Sequence, residues 1–340
     1  MRRRRIVLRP RLGAVALLAV VVVAAAAWLA RAPASTDPGR RAPSSRLPDP
    51  RAAASQPPPA LPVALSGLAL AASGGRLWVV GGLVGGTTST AAVYSWRPGE
   101  PAWKLVARLP AARHDGAAAA VGRGVWFAGG GLGSVSAADA EAVGAVARGA
   151  RVGVRPLPAL PEVRSDLGAV AWQGGMVVAG GYDGLTDSLD VLSLSPGATA
   201  WRTRAVLPAG MRYAAAAALA DRLYLFGGLT PAGLSDAIWR VDLVTGGVRR
   251  VGTLPEAADY MAAAVVRGRI FVLGGATAAG DLSTVWRFDP ASGRLAPAGQ
   301  LPGGRAYGAA AALAGRVYYV GGESAGRALA QVVALRPSGA

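Results

Sequence analysis

Short apolar runs that end in paired glycines recur along this chain. They read "GGRLWVVGG" (74–82), "GRGVWFAGG" (122–130), "QGGMVVAGG" (173–181), "DRLYLFGG" (221–228), "GRIFVLGG" (268–275) and "GRVYYVGG" (315–322). The first glycine of each pair falls at 81, 129, 180, 227, 274 and 321, and Leu-Pro pairs begin at 61, 109, 160, 207, 254 and 301. Both series step by 48, 51, 47, 47 and 47, so two landmarks in one register define a repeat of about 47 residues. Each unit divides into four strand-like runs, in the last complete one "MAAAVVR" (261–267), "RIFVLGG" (269–275), "STVWRFDP" (283–290) and "RLAPAGQLP" (294–302). Glycine, Asp-Pro and Ser-Gly turns separate them. Alanine runs such as "YAAAAALA" (213–220) favour helix by propensity, but so short and punctuated a unit leaves no room for one. They predict innermost strands, where units converging on an axis accept only small side chains. Six four-stranded units predict an all-β, six-bladed β-propeller over residues 61–340.

Ahead of the repeats the pattern changes. The basic segment of residues 1–11, "MRRRRIVLRPR", precedes Leu12–Ala30, which carries no charge. As a helix that stretch spans about 28 Å, enough to cross a bilayer. The arginines hold the amino terminus in the cytoplasm and place everything after residue 30 outside. This reading predicts a single-pass protein anchored in the cytoplasmic membrane through residues 12–30. Its rival is a signal peptide cleaved near Ala34, after the small residues of "Ala32-Pro33-Ala34", which predicts a secreted protein. Residues 31–60 contain eight prolines and no apolar period, and read as an extended spacer. Within it, 52–60 could close the ring. Arg336-Pro337 stands in the register of Asp289-Pro290, the turn after the third strand, and only three residues follow it, so the last unit is expected to lack a fourth strand, and Ser55 precedes Leu61 as Trp103 precedes Leu109.

Composition narrows the chemistry. Of the net charge of +17, residues 1–60 supply +9 through eleven Arg and two Asp. Lys104 is the sole lysine among 36 basic residues, a bias of composition rather than a phosphate-binding surface, and nucleic acid is not an expected partner. With no cysteine there is no disulfide, thiolate nucleophile or Cys-ligated zinc. With His114 alone there is no multi-histidine metal site. A Ser-His-Asp triad would need His114, but no Gly-x-Ser-x-Gly elbow occurs. Asp183, Asp187 and Asp190 in "YDGLTDSLD" could collect calcium. A solvated Asp-Gly turn explains them better, since no other unit repeats the set. No cofactor, metal or catalytic residue is assigned.

The repeat resembles the Kelch family. The residues that carry the resemblance are the glycine pair after an apolar strand, an aromatic six residues before Leu-Pro (Trp103, Trp201), an Asp before the last strand (Asp242, Asp289) and an Arg just after Leu-Pro (Arg113, Arg164, Arg305). Val154, Val248 and Leu295 replace the tryptophan in three units, and the second half of unit two is degenerate. The resemblance implies a propeller of the galactose oxidase and Kelch type. The copper oxidase activity of some members is excluded for want of its Cys and His ligands. The chain is also similar, more distantly, to periplasmic Kelch proteins that act on sialic acid as mutarotases.

Because strands in a blade alternate in direction, the loops after the second and fourth strands share one face. Residues after each Leu-Pro therefore approach the axis at one mouth of the central channel. At three, four and five residues past the proline stand Leu65, Ser66 and Gly67; Arg113, His114 and Asp115; Arg164, Ser165 and Asp166; Met211, Arg212 and Tyr213; Ala258, Asp259 and Tyr260; and Arg305, Ala306 and Tyr307. In resembling Kelch proteins this loop carries ligand-binding Arg and Tyr. The candidate ligand-binding residues are Arg113, His114, Asp115, Arg164, Asp166, Arg212, Tyr213, Asp259, Tyr260, Arg305 and Tyr307. Arginines can grip a carboxylate and tyrosines offer flat apolar area, so an anionic glycan or peptide is the expected ligand of an extracytoplasmic binding module. The competing structural role pairs these arginines with neighbouring carboxylates. The alternative activity is a sugar mutarotase or epimerase, whose acid and base would come from Asp115, Glu162, Asp166, Glu256, Asp259 and Glu323.

Overall fold

A computed structural model of the chain describes residues 57–145, 152–336 and 338. The expected cytoplasmic segment 1–11, membrane helix 12–30 and most of the spacer lie outside these residues. Among the described residues, no helix is long and apolar enough to cross a membrane. The repeats form six antiparallel sheets arranged as a propeller. Blade four is representative, with Ala215–Leu219, Arg222–Phe226, Ala237–Asp242 and Val248–Thr253 pairing in chain order. The alanine runs are the innermost strands, as in Ala262–Val266 and Ala309–Leu313. The degenerate half of blade two still pairs, from Ala140 opposite Leu157 to Ala145 opposite Val152.

Apolar side chains are shared between blades rather than enclosed within them. Six buried clusters each join two consecutive blades. One sets Trp126 against Met176 and Val178, another sets Ile270 and Val272 against Tyr224 and Phe226, and one joins Leu77 and Val79 of blade one to Tyr318 and Val320 of blade six. A strand presents two faces, and in a ring both are covered by neighbours. After its first residue each second strand is therefore a continuous buried apolar run instead of alternating.

The glycine pairs make the same junction through backbone. The amide of the second glycine donates to the carbonyl three residues past the proline of the next loop: Gly130 N–H to Arg164 at 3.0 Å, Gly228 to Ala258 at 2.9 Å, Gly275 to Arg305 at 2.8 Å and Gly322 to Leu65 at 2.8 Å. The first glycine, at φ 60° in Gly274, lies so close that a β-carbon would overlap the Arg305 oxygen. Close approach and left-handed backbone together require glycine there.

The last sheet has three described strands, ending in Val332–Leu335. Residues 57–60 form no strand, and 52–56 lie outside the described residues. Leu61 N–H nevertheless donates to Ala330 O at 2.7 Å, as Leu160 does to Ala138 at 2.8 Å. Trp103 Nε1–H donates to Pro59 O at 3.0 Å, as Trp201 does to Pro158 at 2.8 Å. These tryptophans thus bind the outer edge of the preceding blade, and Pro59 stands at that edge of blade six.

Candidate functional site

Six residues, one from each Leu-Pro loop, converge on the axis. Gly67, Asp115, Asp166, Tyr213, Tyr260 and Tyr307 all adopt φ between 49° and 62°. Only Gly67 does so without steric cost, and left-handed backbone in tyrosine marks a position held by its surroundings. A chain of backbone hydrogen bonds supplies that hold. Asp115 N–H donates to Gly67 O (2.7 Å), Asp166 to Asp115 (2.7 Å), Tyr213 to Asp166 (2.9 Å), Tyr260 to Tyr213 (3.1 Å) and Gly67 to Tyr307 (2.9 Å). These residues and their successors line a cavity of about 120 Å³ at the channel mouth.

The lining is divided. Blades four to six contribute a tyrosine stack, with ring centroids 3.9 Å apart for Tyr213 and Tyr260 and 3.7 Å for Tyr260 and Tyr307. The loops leading into blades two and three contribute Asp115 and Asp166. The loop into blade one contributes no side chain, and the Asp115 carboxylate fills the place where a β-carbon on Gly67 would stand. Burial, with Glu323 nearby, raises the Asp115 carboxyl to about 6. Burial, with Asp115 nearby, raises Asp166 to about 7, against the opposing pull of Ser165 Oγ, which donates to Asp166 Oδ2 at 2.5 Å. Burial likewise raises Asp259 to about 6 and Tyr213 to about 12, and Tyr260 moves further the same way. The site is therefore a recessed pair of carboxyl groups that titrate near neutrality, facing aromatic rings.

The second position of each loop pairs with the residue following a glycine pair. His114 bridges Gly131, Ser165 bridges Tyr182, Arg212 bridges Leu229, Asp259 bridges Ala276 and Ala306 bridges Glu323. This join brings the two sets of loops onto one face. His114 is held by Ser89 Oγ, 2.9 Å from Nδ1, and burial lowers its pKa. Arg212 donates to Asp187 Oδ1 at 3.1 Å and lies 4.3 Å over the Tyr182 ring. Tyr182 and Glu323 were not among the expected ligand-binding residues. Their signal in the sequence is simple, since both immediately follow a glycine pair. Asp183 accepts from the Leu185 and Thr186 amides at 2.7 and 2.6 Å, so it caps its own turn.

The expected role of Arg113, Arg164 and Arg305 needs correction. They are only 5%, 1% and 4% exposed and lie away from the cavity, in the seams between blades. Arg113 pairs with Asp139, Arg164 donates to Gly180 O at 3.3 Å with Glu162 and Asp190 each 3.8 Å away, and Arg305 donates to Gln331 Oε1 at 2.5 Å. The first loop position packs against the neighbouring glycine pair, so its side chain is directed into the seam whatever its charge. Of the four arginines expected to hold an anion, only Arg212 reaches the mouth, and Asp187 already partners it. Among the described residues no group of acidic or histidine side chains is arranged to hold a metal ion.

Six blades, five of them with four described strands and the last with three, together with glycine-pair junctions and a mouth built from Leu-Pro loops, define a repeat propeller with an axial cavity. The model of the KLHDC2/KLHL20/DRC7 Kelch-repeats domain matches residues 168–339, just over half of the chain, and the chain belongs to the Kelch-repeat family. The solved structure of YjhT is similar, with a TM-score of 0.69 at 17% identity, covering 81% of this chain and 96% of that one. A likeness at that identity concerns the fold. Solved structures of 572 chains match it, and an architecture so widely used selects no function by itself. No curated protein matches the sequence.

Proposed function

We propose that the protein is a membrane-tethered, outward-facing propeller that binds a ligand at the mouth of its central channel. The observation that carries this reading is the ring of left-handed residues converging on one cavity. Backbone strain at five non-glycine positions is maintained around a polar, aromatic-lined hollow, where a purely structural axis would need only small apolar residues. The uncharged stretch Leu12–Ala30 after five arginines in residues 2–9 supports the tether and its orientation. The seam-bound arginines and the Asp115–Asp166 pair weigh against the anionic ligand expected from sequence and favour a neutral or basic one, a sugar or a peptide side chain.

Two measurements test it. Protease added to intact cells should remove the propeller from a protein that otherwise pellets with membranes; a mature chain beginning near Ser35 would instead establish cleavage and secretion. A thermal-shift screen of the full-length protein against sugars and short peptides should find ligands that raise the melting temperature. Tyr260→Ala should abolish their effect, and a ligand indifferent to Tyr260 and Asp166 would place binding elsewhere.

A specific observation favours one second reading, a sugar mutarotase or epimerase. Asp115 and Asp166 face one cavity with pKa values of about 6 and about 7, where one carboxyl can donate a proton and another accept one. Proton NMR of anomer exchange would decide it. Acceleration by the wild type and its loss in Asp166→Asn support catalysis, and equal rates with and without protein rule it out for that sugar.

A further inference from the structure

Charge and apolar surface are both unevenly distributed over the mouth face. That face consists of the six Leu-Pro loops (61–68, 109–116, 160–167, 207–214, 254–261, 301–308) and the six loops after glycine pairs (81–87, 129–139, 180–189, 227–236, 274–283, 321–331). These loops hold eleven of the nineteen acidic residues but only five of the thirty-six basic ones, a balance of −6 in a chain of +17. Three of those five basic residues are the buried seam arginines. The acidic character therefore dominates where a partner would approach.

Large exposed apolar side chains gather on the same face. Seven of the nine among the described residues belong to loops or strand ends of blades one to three there: Val84, Leu132, Val135, Val163, Leu185, Leu189 and Val206. Leu185 is 89% exposed and Val135 61%. Blades four to six present none at their mouth ends. An apolar arc beside a recessed acidic cavity is the arrangement of a protein-binding surface with one anchoring pocket. The hairpins of blades one and six bring the Glu323 carboxylate and the Ser66 hydroxyl together. A β-carbon on Gly86 would lie 3.3 Å from Glu323 Oε1 and 4.0 Å from Ser66 Oγ, and that buried hydroxyl has no hydrogen-bond partner.

We infer that the mouth takes a basic side chain, Arg or Lys, from a partner protein whose flanking apolar residues lie on the arc of blades one to three. This rests on the reading of the mouth as the ligand site. A guanidinium donates hydrogen bonds to the carboxyl oxygens of both Asp115 and Asp166, and Tyr307, at the end of the tyrosine stack, offers it the ring face that Tyr260 does not cover. The Leu132, Val135 and Leu185 side chains cover the aliphatic flanks of the incoming segment. Charge complementarity between a −6 face and a basic residue draws the partner in and sets its register.

The test uses the full-length protein in nanodiscs and three synthetic peptides, acetyl-Leu-Val-X-Val-Leu-amide with X as Arg, citrulline or Glu. Citrulline keeps the shape of arginine without its charge. The Arg peptide should bind about tenfold or more tightly than the citrulline peptide, with the Glu peptide weakest. The double variant Asp115→Asn/Asp166→Asn should remove that preference, while Leu132→Ser/Leu185→Ser weakens the Arg and citrulline peptides alike. Asp236→Asn/Asp281→Asn, on the same face but outside the cavity lining, should change little. Equal binding of the Arg and citrulline peptides, an equal loss from the peripheral aspartates, or no binding of any peptide at about 1 mM overturns the inference. If the peptides fail but a sugar binds in a Tyr260-dependent manner, the mouth remains the ligand site and only the basic partner is lost. If neither binds, both readings fall.

Discussion

At the scale of single residues, the positions that matter are those whose backbone is constrained from outside. Gly274 has φ 60° and no room for a β-carbon against the Arg305 carbonyl. Gly274→Ala should therefore cost about 2–4 kcal/mol, measured by chemical denaturation, through strain plus a displaced loop. An effect below about 1 kcal/mol would show that the junction yields easily. The mouth carboxyls make a second prediction. Asp115, Asp166 and Asp259 titrate near 6, 7 and 6 in the fold, against about 4 in an unfolded chain. The folded state then binds more protons between about pH 4 and 7, so these groups stabilise it at the acid end and that stability is lost as pH rises. His114, whose pKa burial lowers, acts in the opposite sense below the ordinary histidine value of about 6.5. Comparing the melting temperature of wild type and Asp166→Asn from pH 5 to 8 isolates the carboxyl: the variant should lose less on going to pH 8. Parallel curves would contradict the assigned burial of Asp166.

Strands and their junctions are the next scale. The tryptophans at the start of the fourth strands act between blades, since Trp201 donates to Pro158 O across a seam. Trp201→Phe keeps most of the apolar area but leaves that carbonyl without its donor. A loss of about 1–2 kcal/mol is expected from equilibrium unfolding, and no loss would mean that water replaces the bond without cost. Much of this scale was legible in the sequence. Registered glycine and Leu-Pro pairs located every second strand, and alanine runs located the innermost ones because the axis admits little else. Less legible was the direction of side chains in the Leu-Pro loops. The first position points into the seam and the third into the cavity, a distinction that comes from the left-handed turn at the third position. Three arginines expected at the mouth were for that reason found buried.

For the whole molecule, closure of the ring is the controlling event. The cluster that joins blade one to blade six contains Leu61 and Leu65 along with Trp96, Trp103 and Tyr318, and Pro59 accepts the Trp103 indole N–H. Deleting residues 1–60 should accordingly lower the melting temperature below that of a chain lacking 1–50, by about 2 °C or more. Equal melting temperatures would show that residues 51–60 contribute nothing to closure.

The sequence by itself determined the number of blades, the innermost and second strands of each and the loops that meet at the axis, because spacing and side-chain size are properties of the chain alone. It also bounded the chemistry by having no cysteine and one histidine. Only the tertiary structure decided which charges are free to act. Arg164 is 1% exposed and serves a seam, whereas Asp115 and Asp166, from two different blades, share one cavity, and Asp115 raises the pKa of Asp166. Burial and proximity depend on how the blades close, and the residue types alone do not specify them.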